Sequence, residues 1–233
     1  MENSKIEQRE IWNALYRKGG KIYGDYPSQL AYDVMRFVFS MNGDFSRDDL
    51  RKLRVLEIGG GYGRNSRYIA DWGINATLLD ISIESLQIAR NDGLEGKIRL
   101  VEGDIVSQEF DDEFDIAYAN FVFHVMKQDE REAAVTNSYK AIKKGGYLIG
   151  SFLSINDRNF NYFGRGDEIE QNTFFVREKP QHFFTREEVN RLLTSAGFSV
   201  RILEEREDPE AIIQVCRNTR YWFTVAQQGE DHG

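Results

Sequence analysis

Cysteine is almost missing from this 233-residue chain, proline is scarce, and no long apolar run interrupts it. Cys216, the single cysteine, excludes an internal disulfide and any cysteine-based metal cluster, and no metal is expected. The three prolines, Pro27, Pro180 and Pro209, fall outside the strongest periodic segments. The longest stretch without a charge runs only from Gly145 to Asn156, well short of the ~20 apolar residues that span a bilayer. Near the N-terminus, Glu2, Lys5, Glu7, Arg9 and Glu10 leave no room for a secretory apolar segment. An excess of basic charge is also lacking, since 30 Lys+Arg face 38 Asp+Glu for a net charge of -8. That balance disfavours a sequence-independent grip on nucleic acid and attachment to anionic membranes. A soluble cytoplasmic protein with neither kind of partner is the expectation.

What is present is the material of a sizeable core: 41% hydrophobic and 13% aromatic residues, enough to exclude disorder over most of the length. Neither a repeat nor a linker divides the chain. Apolar spacing predicts a helix over 28–40, and 53–58 is a short strand that enters a glycine cluster. Strands over 75–79, 97–101, 114–121 and 146–153 then alternate with helices over 82–91 and 129–144, the latter stopped by Gly145. Thr185 and Glu188 form a capping box with a Phe184–Val189 staple, opening a helix over 185–196. Strands over 198–203 and 221–226 close the chain. This order predicts an α/β fold with one doubly wound, mostly parallel sheet. Residues 1–44 form an N-terminal helical extension, 45–228 the domain and 229–233 a frayed tail.

The strongest motif is VLEIGGGYGRN, residues 55–65, with four glycines among the five residues from Gly59 to Gly63. Between a strand and a helix, such a loop lets a ligand approach the backbone closely. A dinucleotide fingerprint counted from Gly59 needs glycine where Arg64 stands, which disfavours a nicotinamide cofactor. Glu57 would oppose a pyrophosphate but suit a ligand that carries an ammonium group. Asp80, in LLDIS, ends the next strand, where a carboxylate accepts both hydroxyls of a ribose. Its alternative, a helix N-cap, is a task that Ser82 can perform. Asp104, in VEGDI, can accept from an exocyclic amine, and the following backbone N–H can serve a ring nitrogen.

The runs EIGGGYGRN, LLDIS, VEGDI, FDIAYANFVFHVM and KKGGYLIGSF, in this order, resemble the class I S-adenosylmethionine-dependent methyltransferases. The resemblance covers roughly Leu53 to Leu153, and FFTREEVNRLLTSAGFSV and YWFTVA fit that fold's closing helix and strands. It implies a seven-stranded Rossmann-like sheet with the last strand antiparallel. It also implies S-adenosyl-L-methionine as cofactor and S-adenosyl-L-homocysteine as product. Gly59, Gly61 and Gly63 would cradle the methionine part and Glu57 would face its ammonium through water. Asp80 would take the ribose, Ile81 the adenine face, and Asp104 with the Ile105 backbone the adenine edge. Asn120 would border the methionine amine and the transferred methyl. IWNALYRKG and YGDYPSQL resemble the cofactor-covering extension of small-molecule members, among them tellurite-resistance methyltransferases. There Trp12, Tyr16, Tyr23 and Tyr26 would roof the cofactor and substrate, or simply pack the extension onto the domain.

The resemblance implies a small-molecule methyl acceptor. No proline follows Asn120-Phe121-Val122-Phe123, unlike the nucleic-acid amino-methylating enzymes of this fold, and Cys216 lies far from the strand ends that base C5 methylation uses. Cys216 in AIIQVC is expected to be buried. The insertion at about 154–181 is long for a connection and is expected to form a substrate lid, or else a solvated loop. Arg158, Arg165, Glu168, Glu170 and the adjoining His182 are its candidate contacts. His124, after the fourth strand, is the candidate general base, although methyl transfer by in-line displacement needs none. A non-catalytic S-adenosylmethionine binder, or an enzyme acting on a protein or lipid precursor, is the alternative.

Overall fold

The computed structural model describes residues 2–41, 46–163, 167–176, 178–208 and 218–229. In chain order come α1 (Glu2–Gly19), α2 (Gln29–Met41), the short α3 (Arg47–Leu50), β1 (Arg54–Ile58), α4 (Arg64–Asp71), β2 (Asn75–Asp80) and α5 (Ile83–Asn91). Next are β3 (Arg99–Glu102), β4 (Phe114–Asn120), a 3-10 turn (Phe123–Val125), α6 (Gln128–Ala141) and β5 (Ile142–Leu153). Then follow α7 (Arg158–Phe163), β6 (Glu168–Glu170), β7 (Thr173–Val176), β8 (Lys179–His182), α8 (Arg186–Ser195), β9 (Phe198–Asp208) and β10 (Thr219–Gln228). The main sheet has seven strands in the order β3-β2-β1-β4-β5-β10-β9. Its neighbours from β3 to β5 pair in parallel, and β10 is antiparallel to both β5 and β9.

Alternation along the strands sets the layers. Val55, Ile116, Tyr118, Tyr221, Phe223 and Val225 point to one face, beneath Leu30 and Val34 of α2, Ile69 of α4 and Leu86 of α5. Leu56, Ile58, Ala117, Ala119, Trp222 and Ala226 point to the other, beneath Val135 of α6 and Val189 and Leu193 of α8. Both sets are buried, so the strands read as nearly continuous apolar runs, as a sheet covered on both sides requires. Parallel β1, β2 and β4 deliver their following loops to one edge of the sheet.

Three expectations are corrected. The helix predicted over 129–144 ends at Ala141, because Ile142 already pairs with Phe114. Lys143 Nζ reaches Asp115 Oδ1 at 2.8 Å, and Gly145, at φ 76, lies where the register slips rather than at a helix stop. The capping box of α8 is half made. Thr185 Oγ1 accepts from the Glu188 N–H at 3.1 Å, but the Glu188 carboxylate turns to His182 Nε2 at 2.9 Å. The insertion is no plain loop: it holds α7 and an antiparallel sheet β6-β7-β8 over a small core of Leu153, Phe174 and Phe183. β8 packs on the 3-10 turn, bringing this sheet to the parallel strand ends.

Phe152, fully buried, stacks on Phe123 at 5.1 Å and meets Phe184 edge-on at 5.1 Å. Phe152→Ala is expected to cost about 3–5 kcal/mol in urea unfolding, and a loss below about 1 kcal/mol would contradict this packing.

Candidate active site at the parallel strand ends

The loop after β1 is clamped to β2, since the Gly59 and Gly60 N–H groups both donate to the Leu79 carbonyl, at 2.8 and 3.2 Å. Gly59 and Gly61 have φ 63 and 59, a conformation that L side chains avoid. A Cβ at Gly59 would stand 2.8 Å from Val122 Cγ2, and one at Gly61 2.6 Å from Tyr16 Oη. Gly63 differs from the cradle position assigned to it. A Cβ there would meet Leu78 Cδ1 and Leu94 Cδ1, each at 2.8 Å, so it serves close packing of helix on sheet.

Glu57 also departs from its expected place facing a ligand. Its buried carboxylate lies beneath Gly60, where Oε1 accepts from Asn65 Nδ2 at 2.9 Å. Oε2 accepts from the Ser66 N–H at 3.0 Å and from Ser66 Oγ at 2.5 Å. It caps the first turn of α4, against the positive end of the helix dipole. Burial pushes its pKa up, and these hydrogen bonds oppose the shift. Asp80 is buried as well. Its Oδ2 accepts from the Gly61 N–H at 2.7 Å, and its Oδ1 from the Ser82 N–H at 2.8 Å and Ser85 Oγ at 3.1 Å. A carboxylate has about four acceptor positions, so room remains for one ribose hydroxyl rather than two. Burial raises the Asp80 pKa, again against its hydrogen bonds.

Ile81 is half-buried after β2, and Asp104 ends the parallel edge beyond β3, its Oδ1 accepting from the Val106 N–H at 3.0 Å. Ile105 is buried, and its carbonyl accepts from Asn137 Nδ2 at 2.9 Å. Asn120 Oδ1 accepts from Ser151 Oγ at 3.3 Å, and Ser151 Oγ accepts from the Phe121 N–H at 2.9 Å. Phe121 has φ 53, a strained backbone for a bulky residue. Its ring is held edge-on by Tyr221 at 5.4 Å and His124 at 6.1 Å. No spacing rule announces such a residue.

α1 forms the roof. Tyr16 is buried over Gly61, with its pKa raised well above the usual value by burial and then by Asp80. Trp12 lies 6.2 Å from Tyr16, ring to ring. Tyr26 is excluded from the pocket: its side chain is 84% exposed, and only its carbonyl is used, accepting from Arg64 Nη1 at 2.9 Å. Tyr23 is exposed too, and its N–H donates to Tyr62 Oη at 3.0 Å. Arg165 and Cys216 lie outside the described residues.

His182 is a latch rather than an acceptor contact. Buried, it has Nδ1 2.7 Å from Thr173 Oγ1 and Nε2 2.9 Å from Glu188 Oε1. Beside it, buried Arg131 donates to the Met126 carbonyl at 2.6 Å and lies 3.5 Å from Glu170 and 3.9 Å from Glu188. Glu170 also accepts from the Gln128 N–H at 3.0 Å, which ties the inserted sheet to the start of α6. Arg158 and Glu168 are exposed. Arg131 gave no sequence signal, because a helical arginine usually faces water.

His124 is buried, and its Nδ1 has no hydrogen-bond partner. Burial foremost, then the charges of Lys179 and His182, push its pKa down to about 3. An imidazole so weakly basic does not hold an abstracted proton at neutral pH, which argues against the general-base role. Among the described residues, no cluster of His, Cys, Asp or Glu could hold a metal ion, and no helix is long and apolar enough to cross a membrane.

The same burial predicts an acid response. Below pH about 6.5 the unfolded chain protonates this imidazole and the folded chain does not, so stability falls down to about pH 3. His124→Gln is expected to flatten the slope of unfolding free energy against pH by up to about 1.4 kcal/mol per pH unit between these limits. An unchanged slope in urea titrations from pH 6 to about pH 4 would contradict the burial.

Comparison with known proteins adds to this geometry. Residues 55–146 match the family model described as a methyltransferase domain. A cypemycin N-terminal methyltransferase from a Streptomyces species is 30% identical over 134 residues, which cover 54% of this chain and 54% of that protein. A malonyl-[acyl-carrier protein] O-methyltransferase from Pectobacterium atrosepticum is 36% identical over 103 residues, 44% of this chain and 39% of that one. The chain thus spans about half or less of these two relatives' lengths. Among solved structures, the 1,6-didemethyltoxoflavin-N1-methyltransferase of Burkholderia thailandensis, with 1,6-didemethyltoxoflavin and S-adenosylhomocysteine bound, superposes with a TM-score of 0.71 at 17% identity, covering 98% of this chain and 90% of that one. That likeness is one of fold. With the strand order and the matching domain taken together, the chain carries a methyltransferase domain over residues 55–146 on the seven-stranded fold of its solved neighbours, and it resembles the class I S-adenosylmethionine-dependent methyltransferases.

Proposed function

We propose that the protein transfers the methyl group of S-adenosylmethionine to a small-molecule acceptor by in-line displacement. The observation that carries this reading is the cradle at Gly59 and Gly61, where a single Cβ would fill the space, beside an Asp80 Oδ2 with an acceptor position to spare. The residues fit the cofactor. Asp80 would accept one ribose hydroxyl, with Ile81 against the adenine and Asp104 and the Ile105 N–H at its edge. Asn120, fixed by Ser151, would border the methionine amine. When bound, S-adenosylmethionine supplies a methyl group on a sulfonium that departs as a neutral thioether.

The chain's own contribution is then alignment and exclusion of water. Tyr16 and Trp12 close the roof, and the 154–181 insertion supplies the facing wall of an acceptor pocket. Holding the partners in line is worth about 7–11 kcal/mol, enough for catalysis without a proton acceptor, as a weakly basic His124 requires. Arg64 supports the preference over a nicotinamide cofactor. Its Nη1 donates to the Tyr23 and Tyr26 carbonyls, both at 2.9 Å, so that position fastens the roof's connection to α4. The small-molecule acceptor is favoured by the enclosure of this roof and by the ligand held in the Burkholderia structure. The named relatives act on other classes of acceptor.

Thermal-shift titration with S-adenosylmethionine, S-adenosylhomocysteine and NAD(P)H tests the cofactor. The two sulfur ligands at about 100-fold over their dissociation constants should add ~2.7 kcal/mol of stability, and NAD(P)H nothing. Asp80→Ala should weaken both by at least about tenfold. Stabilisation by NAD(P)H alone, or an unaltered affinity in the variant, would sink the assignment. Cofactor that binds but is never consumed with any acceptor would leave a binder instead of an enzyme.

A further inference from the structure

The N-terminal extension divides into two parts with different attachments. α2 belongs to the core, with Leu30, Val34, Met35 and Val38 buried against the sheet. Among the described residues, α1 contributes to neither apolar face of the sheet nor to the small core of the insertion. Of residues 8–19, only Asn13 and Tyr16 are buried. Polar contacts hold this helix in place. Gln8 Nε2 donates to the Val125 carbonyl of the 3-10 turn at 2.8 Å, and Asn13 Oδ1 accepts from Ser82 Oγ at 2.8 Å. The exposed Arg17 lies 2.8 Å from Glu84, and Arg9 lies 3.8 Å from Glu102. Lys179 Nζ stands 4.1 Å from the centroid of the Trp12 ring.

The joint between the two parts is placed to bend. α1 ends at Gly19, and Gly20 follows at φ 60, where an added Cβ would meet nothing within 4 Å. Just beyond, the chain is clamped to the domain. Lys21 Nζ lies 2.7 Å from Asp92 Oδ2. The Tyr23 N–H donates to Tyr62 Oη at 3.0 Å, and Tyr62 Oη donates to the Gly24 carbonyl at 2.6 Å. Arg64 Nη1 donates to the carbonyls of Tyr23 and Tyr26. A rotation at Gly19–Gly20 therefore lifts α1 and leaves α2 and the glycine loop where they are. The need for such a movement comes from Tyr16. Its Oη stands 2.6 Å from where a Cβ on Gly61 would be, so the hydroxyl already covers the approach to that backbone. A ligand reaches Gly61 only when Tyr16 has moved aside.

We infer that α1 is a hinged gate, which lifts at Gly19–Gly20 to admit S-adenosylmethionine and to release S-adenosylhomocysteine. It closes over either ligand by restoring its contacts to Ser82, Glu84 and Val125. The inference rests on the cofactor reading and adds how entry to that site is controlled. A helix held by exposed ion pairs and a few hydrogen bonds opens at a small fraction of the cost of unfolding the sheet. The anchors at Asn13 and Arg17 are shared by the empty and the occupied closed forms. Weakening them therefore speeds entry and exit alike and leaves the affinity nearly unchanged. A fixed wall behaves differently, since damage to it weakens binding through faster dissociation alone.

The test uses the full chain, with S-adenosylhomocysteine as the probe. Stopped-flow tryptophan fluorescence, to which Trp12 contributes, gives the association and dissociation rate constants. Arg17→Gln should raise both by about two- to fivefold, the range for an exposed ion pair. Asn13→Ala should raise both by about five- to tenfold. In each variant the dissociation constant should stay within about twofold of the parent. Amide hydrogen exchange reads the same opening without a substitution. In the free protein, residues 9–19 should exchange at least about 100-fold faster than β1 and β4, and saturating ligand should slow them at least about tenfold. Association rates unchanged in both variants, weaker binding through faster dissociation alone, or α1 amides exchanging in step with β1 and β4 would each overturn the gate and leave the cofactor reading standing. Failure of S-adenosylhomocysteine to stabilise the parent protein would overturn both.

Discussion

A carboxylate buried under the glycine loop organises the rest of the site. Glu57 ends β1, takes the Ser66 and Asn65 donors at the start of α4, and lies directly beneath Gly60. Asn65 in turn accepts from the Ser28 N–H at 2.8 Å, at the entrance to α2. One buried charge therefore fixes a strand, the loop, the helix that follows it and the segment leading down from the roof. A charge in that position is tolerable because three donors and the helix N-terminus meet it. Its loss would leave those donors buried and empty, a cost of about 1–3 kcal/mol for each.

Two segments outside the strand–helix alternation complete the enclosure, and they meet each other as well as the domain. α1 is tied down by Asn13, whose Oδ1 accepts from Ser82 Oγ at 2.8 Å, and by the Arg17–Glu84 pair at 2.8 Å. The inserted sheet is tied down by His182, Thr173, Glu188 and Arg131. Trp12 and Lys179 join the two. The floor of the candidate site is thus the parallel sheet edge, and the walls around it are carried on attachments.

What the sequence made legible follows from how local each signal is. The β1 loop, Asp80 and α4 were readable because strand, glycines and helix succeed one another within a few residues and each step has a steric reason. The α6–β5 boundary was not, because Ile142 and Lys143 fit the helical period and only the distant Phe114 and Asp115 draw them into the sheet. Glu57 was found as an acid at a meaningful position, yet its direction depended on donors in α4 that spacing does not reveal. Tyr26 shows the same limit, since an aromatic residue in a plausible roof can point to water. His182 and Arg131 exchange their usual solvent for each other's carboxylate partners, a pairing across the insertion that no window of sequence contains.

The roof's order in the chain has a consequence for assembly. α1 precedes every element it rests on, and its three anchor points on the site lie at Gly61, Val125 and Lys179. Closing loops of such length is entropically slow compared with pairing neighbouring strands, so the sheet can form while α1 still waits. The sequence of α1, with Glu2, Lys5, Glu7, Gln8, Arg9 and Glu10 in its first turns, suits a helix that spends that interval in water. The glycine loop and the core are then products of early folding, and the roof over the loop is among the last parts of the chain to settle.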